Sequence, residues 1–302
     1  MRHAIVTGGS SGIGLAVVRR LTAAGWRVSV LALDDRDLAR LREAPPPARV
    51  PLHLEACDVG ERVDVESAVA RAVAVHGACD LLLTSAGVTR PGEFGELEAA
   101  EFERQVRINY LGTLWSVRAV VPSMVDRGAG SVVLISSFAA LVGVYGYGAY
   151  APTKHAVRGL AETLRTELWP RGVHVACVFP TDVDTPMLAG EEALKPAATR
   201  ALSSTAAVLS PEQVADAILR GVARRRFEIF ADARSTLLAR VAGAAPGLGR
   251  RISDRTVAAS VTARGWRSPR PRPRRTPRGR GRSAPGRRPA RTRSRRSDAR
   301  AG

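Results

Sequence analysis

Lysine is almost missing from this chain, which holds two, Lys154 and Lys195, against 44 arginines, and it has a single asparagine, Asn109. A position that keeps lysine where arginine meets every other need for positive charge calls for an ammonium, so Lys154 in AYAPTKHAVRG (149–159) is a candidate for chemistry. Cysteine is scarce as well. Cys57, Cys79 and Cys177 are far apart and odd in number, form no C-x-x-C pair and share no ligand spacing with the five histidines. That excludes a disulfide framework, leaves no metal site to expect, and suits a reducing compartment. No apolar run reaches the roughly 18 residues a membrane span needs, and MRHAIVTGG moves directly into a strand and glycine turn without a leader-like apolar region. A cytoplasmic protein is expected.

The net charge of +18 resembles a nucleic-acid signature until it is divided along the chain. Residues 264–302 hold 16 arginines against one acid, Asp298, and so carry +15, leaving +3 for residues 1–263. The chain therefore divides into a nearly neutral globular domain, 1–263, and an Arg/Pro/Gly-rich tail, 264–302, too poor in apolar residues to offset its ordering entropy and expected to be disordered. Three readings of the tail stand: a solvated appendage, an arm for nucleic acid or acidic membrane, and the misread end of a GC-rich gene. Its one aromatic, Trp266, provides no stacking platform for single strands, which favours the inert or artefactual readings.

Within the globular part, short β-branched runs alternate with longer helical patterns. Strands are expected at 3–8, 27–33, 50–56, 79–85, 130–137, 173–179 and, weakly, 227–230; crossover helices at 13–24, 63–76, 101–127, 152–169 and 211–225. Runs without polar alternation are buried on both faces, as parallel strands are. The expected fold is α/β: a Rossmann-like, doubly wound, mostly parallel seven-stranded sheet flanked by helices.

Between the first strand and helix lies TGGSSGIG (7–14). Gly8 permits a tight turn, Gly12 lets backbone approach a pyrophosphate, Gly14 allows close helix packing, and the helix N-terminus supplies amide donors and positive dipole. A dinucleotide site is the reading.

The motif has the T-G-x-x-x-G-x-G spacing of the short-chain dehydrogenase/reductase family, and residues 3–230 resemble that family further. Tyr150 and Lys154 form its Y-x-x-x-K pair, Ser137 precedes Tyr150 by thirteen residues, and Asn109 in RINYLG matches its catalytic asparagine. The resemblance implies a ketone reductase using NADP or NAD. Tyr150 is the general acid, Lys154 lowers the tyrosine pKa and holds the nicotinamide ribose, Ser137 holds the carbonyl oxygen, and Asn109 fixes a water in a proton relay. It further implies cofactor contacts from Gly8, Ser10, Ser11, Gly12, Ile13 and Gly14, from Asp58 and Val59, from Ser85, Ala86 and Gly87, from Tyr150 and Lys154, and from Pro180, Thr181, Val183 and Thr185. At the ribose, Asp34 and Arg36 pull in opposite directions on a 2′-phosphate, so the choice between cofactors stays open. Where the family has Asn-Asn-Ala-Gly, this chain has Thr84, Ser85, Ala86 and Gly87, with the threonine hydroxyl expected to replace an amide bond.

In the C-terminal half, YAPTKHAVRGLAETLRTEL, DVDTPML and EEALKPAATRALS are similar to the family's 3-ketodihydrosphingosine reductase branch. That implies a long-chain 3-keto lipid amine and a lid at 180–205. Leu141, Val142, Val144, Met187 and Leu188 read as the lining of an acyl channel, and Glu191 and Glu192 as acids within reach of the substrate ammonium. The family is commonly dimeric or tetrameric, so a homodimer or homotetramer is expected. Two alternatives remain: a non-catalytic dinucleotide-binding regulator with a basic interaction tail, and a reductase of another carbonyl class such as 3-oxoacyl thioesters.

Overall fold

The computed structural model describes residues 1–33, 35–203 and 207–245, with scattered positions up to 258. The arginine-rich segment and Asp34 lie outside the described residues. In chain order the elements are β1 (His3–Thr7), α1 (Gly12–Ala23), β2 (Arg27–Ala32), α2 (Asp35–Glu43), β3 (His53–Ala56), α3 (Arg62–His76), β4 (Leu81–Thr84), α4 (Ala99–Gln105), a π-helical turn (Val106–Leu111) and α5 (Gly112–Asp126). There follow β5 (Gly130–Ile135), α6 (Ala151–Leu168), β6 (Val173–Val178), α7 (Pro186–Glu192), α8 (Ala197–Ser203), α9 (Pro211–Ala223), β7 (Glu228–Ile229) and α10 (Ala233–Ala244).

The strands form one sheet in the order β3-β2-β1-β4-β5-β6-β7, every pairing parallel. β1, β4 and β6 are buried along their whole length, as uninterrupted apolar runs require. Residues on one face, among them Val6, Val30 and Leu83, pack under α1, α2 and α9; those on the other, among them Ile5, Leu82 and Leu134, pack under α3, α5 and α6. Strand order reverses between β1 and β4, and loops leaving their C-terminal ends open a crevice there, where a doubly wound sheet takes its ligand.

Three local outcomes differ from the sequence pattern. The expected helix over 101–127 is two helices joined by the π-helical turn that holds Asn109. Helix α2 was hidden because its sequence, DRDLARLRE, has only Leu38 and Leu41 to anchor it, and both are buried. Helix α10 starts at Asp232, whose carboxylate accepts the Ser235 amide at 2.7 Å, and its Leu238 and Val241 form a wall of the crevice.

Candidate active site

The crevice is a cavity of about 590 Å³. One wall is the glycine turn, with Gly8, Ser11, Gly12 and Ile13; another is the loop after β4, with Ser85, Ala86 and Gly87; Pro180, Thr181, Val183 and Thr185 close it from the loop after β6. Ser137, Tyr150 and Lys154 complete the lining.

Gly8 sits at φ +65°, and a Cβ there would lie 2.7 Å from the Ala86 backbone, so turn and loop meet as closely as glycine permits. Gly14 is packed behind the turn, where a Cβ would collide with the Gly8 carbonyl. Helix α1 begins at Ser11, which makes no side-chain capping bond, and has no acid in its first turn. Its first amides and its positive dipole end therefore face the cavity without compensation. These features fit a dinucleotide with its pyrophosphate at the helix start.

Other expected contacts lie away from the lining. Asp58 accepts the Gly60 amide at 2.8 Å and so caps its own turn, Val59 packs where Gly112 lacks a side chain, and Ser10 and Arg36 stand outside the cavity wall. Asp34 lies outside the described residues, so the ribose pocket between β2 and α2 is described only in part.

Tyr150 begins α6 and Lys154 follows one turn later, their bond running from Lys154 N to the Tyr150 carbonyl at 3.3 Å. The lysine is 5% exposed; its Nζ donates to the Ile135 carbonyl at 3.0 Å and lies 5.6 Å from the Tyr150 ring centroid. Burial without a carboxylate partner lowers its pKa to about 8. Ser137 accepts the Ala139 amide at 3.1 Å, and its hydroxyl is bonded to the Tyr150 side chain. The expected lowering of the tyrosine pKa is reversed in this cavity. Although the ring is partly open to the cavity, protein crowds the hydroxyl, and this desolvation pushes its pKa above the ordinary value; the negative charges of Glu191 and Asp182 push it further, and only the Ser137 bond opposes them.

Asn109 is fully buried in the π-helical turn. Its Oδ1 accepts the Val88 amide at 2.8 Å, and its Nδ2 donates to the Val88 carbonyl at 2.9 Å and to Thr153 Oγ1 at 3.1 Å. Its carbonyl accepts the Thr113 hydroxyl at 2.8 Å. The side chain thus clamps the loop after β4 to α6, and a Cβ on Gly87 would lie 3.3 Å from Asn109 Oδ1 and 3.7 Å from Lys154 Nζ. Thr84 does not replace the amide it stands in for: its hydroxyl is buried without a hydrogen-bond partner. The loop is held instead by Thr7, whose carbonyl accepts the Ser85 amide at 3.1 Å and whose hydroxyl accepts the Ala86 amide at 3.3 Å.

Val142, Val144, Met187 and Leu188 line the cavity as expected, but Leu141 turns away to a second, arginine-rich depression against α9 and α10. Sequence reasoning passed over Tyr147, Asp182 and the α10 wall. Leu237, Leu238 and Val241 following an Asp-x-x-Ser cap were the available signal for the last.

A glycine turn opening onto a tyrosine and lysine on one helix turn, at the switch point of a parallel sheet, defines a dinucleotide-dependent oxidoreductase. Residues 2–195 match the family model described as short chain dehydrogenase, and the chain belongs to that family and is an NAD(P)-dependent oxidoreductase. It is 35% identical over 230 residues to a 3-dehydrosphinganine reductase of Danio rerio, covering 74% of this chain and 69% of that one. Among solved structures it is similar to a short chain dehydrogenase/reductase from Burkholderia phymatum in complex with NAD (TM-score 0.71, 26% identity, 82% of this chain and 95% of that chain). It is also similar to an alcohol dehydrogenase from Thermococcus sibiricus complexed with 5-hydroxy-NADP (TM-score 0.66, 25% identity, 76% and 95%). Among the described residues no helix is long and apolar enough to cross a membrane, and no cluster of His, Cys, Asp or Glu is arranged to hold a metal.

Proposed function

We propose that the protein reduces a long-chain ketone carrying an amino group, of the 3-ketosphinganine type, to the secondary alcohol, with Ser137, Tyr150, Lys154 and Asn109 as its working residues. The single observation that carries this reading is the cavity itself, which brings Ser137, Tyr150 and Lys154 together with Val142, Val144, Met187, Leu188, Leu238 and Val241 in one mostly apolar lining. The likeness to a 3-dehydrosphinganine reductase supplies the amine.

When bound, a reduced nicotinamide dinucleotide supplies the hydride. The chain does the rest. Ser137 and Tyr150 hold the carbonyl oxygen between two hydroxyls, and burial keeps Tyr150 protonated, the form needed to donate to that oxygen as negative charge develops. Lys154, near half-protonated a little above neutral pH, sits where it can return a proton to Tyr150 and hold a ribose hydroxyl. Asn109 fixes the loop against which the cofactor rests and serves as a positioning residue. The glycine turn from Gly8 to Gly14, the loop Ser85 to Gly87, and Pro180, Thr181, Val183 and Thr185 take the dinucleotide, as NADP or NAD.

A regulator that only binds dinucleotide has no use for a buried lysine beneath a tyrosine, which disfavours that alternative. A 3-oxoacyl thioester reductase needs the same reacting groups but not the acids beside Tyr150. We further propose that residues 1–263 form the catalytic domain, that the protein works as a homodimer or homotetramer, and that it resides in the cytoplasm, which its three unpaired cysteines suit. The testing experiment is a series of 2-amino-3-ketones of rising chain length compared with small cyclic ketones, using both cofactors. Each buried methylene adds about 0.8 kcal/mol, so kcat/KM should climb with length until the channel ends. A flat series, or faster turnover of small ketones, removes the lipid assignment and leaves a general ketone reductase.

A further inference from the structure

Ketone reduction does not by itself account for the acids in this cavity. Glu191, on α7, is 8% exposed and lines the cavity beside Tyr147 and Tyr150. The Tyr147 hydroxyl donates to its Oε2 at 2.6 Å, and the Tyr147 and Tyr150 rings stand 5.6 Å apart between centroids. The carboxylate is therefore held in place one ring away from the group that meets the carbonyl. Asp182 lines the same wall.

The basic groups nearby are committed. Lys154 bonds the Ile135 carbonyl, Arg234 on α10 also lines the cavity, and Lys195, 3% exposed, lies 3.0 Å from Glu192 Oε2 and 3.9 Å from Asp182 Oδ2. Burial raises the Glu191 pKa, opposed in part by the Tyr147 hydroxyl and by the charge of Lys195, so the group is pushed towards its neutral form. Toward an uncharged ketone such acids would only weaken the proton donor, because both make Tyr150 harder to deprotonate. A cation delivered with the substrate reverses both effects.

We propose that Glu191, oriented by Tyr147, is the receptor for the substrate's ammonium group and selects ketones that carry an amine on the carbon next to the carbonyl. With the carbonyl at Tyr150, a carboxylate one ring away is within reach of a substituent on the adjacent carbon and out of line with one far down the chain. The alkyl chain then leaves along Val142, Met187 and Leu238. Glu192 has no such role, being exposed and paired with Lys195. This inference rests on the ketone-reductase reading of Tyr150 given above.

The test compares 2-aminododecan-3-one with dodecan-3-one in wild-type protein and in Glu191→Gln and Glu191→Asp, with thermal unfolding of each. A charge-assisted hydrogen bond predicts that the wild type favours the amine in kcat/KM, and that Glu191→Gln shrinks this preference by about 10- to 100-fold, chiefly through KM. Glu191→Asp should recover part of it. Binding of decylamine against decanol, measured by calorimetry without substrate turnover, should show the same loss for the amine alone. An amine preference that survives Glu191→Gln overturns the assignment of Glu191 and leaves the amino-ketone function standing. Equal losses on both ketones reduce Glu191 to a support for Tyr147 and also overturn it. A wild type that turns over neither ketone overturns the proposed function, and this inference with it.

Discussion

Replacing Asn109 tests the clamp between the cofactor loop and the catalytic helix. Asn109→Ala removes three side-chain hydrogen bonds, to the Val88 amide, the Val88 carbonyl and Thr153 Oγ1, at a fully buried position. At about 1 kcal/mol each, with a further penalty for stranding partly buried Val88 groups, the loss is about 3–4 kcal/mol. At about 2–4 °C per kcal/mol for a domain of this size, that lowers Tm by about 6–16 °C. Asn109→Asp gives a sharper reading. The introduced carboxylate still accepts from the Val88 amide but faces two acceptors with no proton to offer, so its folded pKa rises above the ordinary aspartate value. A raised acid is protonated in the folded state while still ionised in the unfolded one. The variant should therefore be at least as unstable as Asn109→Ala at pH 7 and should gain stability relative to it as pH falls towards about 4. Calorimetry of both variants across that range, with fluorescence titration of NADH and NADPH, is the assay; cofactor affinity should weaken because Ser85, Ala86 and Gly87 line the site. A Tm change under about 2 °C would refute the clamp, and an unaltered cofactor affinity would separate it from the site.

Tyr150→Phe should lower kcat by about 10²-fold or more while dinucleotide binding persists, and wild-type turnover would remove Tyr150 from the chemistry. Lys154→Arg should also fail, since a planar guanidinium cannot occupy a 5%-exposed slot shaped around one ammonium and the Ile135 carbonyl; an active variant would show that charge alone suffices. His3 couples the fold to pH. A neutral ring donates from Nδ1 to the Gly77 carbonyl at 2.7 Å and accepts the Ser29 hydroxyl at Nε2, and burial lowers its pKa from 6.5 to about 4. With the folded pKa below the unfolded one, its contribution is complete above pH 6.5 and is lost as pH falls towards 4, up to about 3 kcal/mol; urea unfolding that is flat between pH 6.5 and 4.5 would contradict this. Truncation after Ala263 should leave Tm and soluble-substrate kinetics unchanged, and an unfolded product would move the domain boundary.

Much of this fold could be read ahead of the structure because parallel strands buried on both faces advertise themselves as unbroken apolar runs. HAIVT, LLLT and VHVACV allow no other reading once glycine turns and helical periods separate them. Composition sharpened the site. In a chain that writes arginine almost everywhere, a lysine retained at 154 and a lone asparagine at 109 mark positions where shape matters as well as charge, and both prove to be buried among specific backbone partners. Failures fell where a few residues carry the burial. Helix α2 rests on two leucines, and the π-helical turn at Asn109 leaves no periodic signature because it shifts the period by a fraction of a turn.

Electrostatics was the least legible part, for a reason that applies to any site assembled from distant segments. A tyrosine and a lysine four apart on a helix predict a lowered tyrosine pKa, and that prediction holds only if nothing else approaches. Desolvation of the hydroxyl by the packed chain reverses the sign, and Glu191 and Asp182, some 30–40 positions later, push it further the same way. Leu141 shows the same limit in steric terms, since it is a near neighbour of Val142 in sequence yet lines a different depression. Spacing along one element fixes which groups share a face; it says nothing about the charge that a lid from another element brings to that face. The acids over Tyr150 therefore carry information that the Y-x-x-x-K pair does not. In the proposed reaction the pair fixes where a carbonyl oxygen is protonated, and the acids select substrates that arrive there with the countercharge that makes protonation easier.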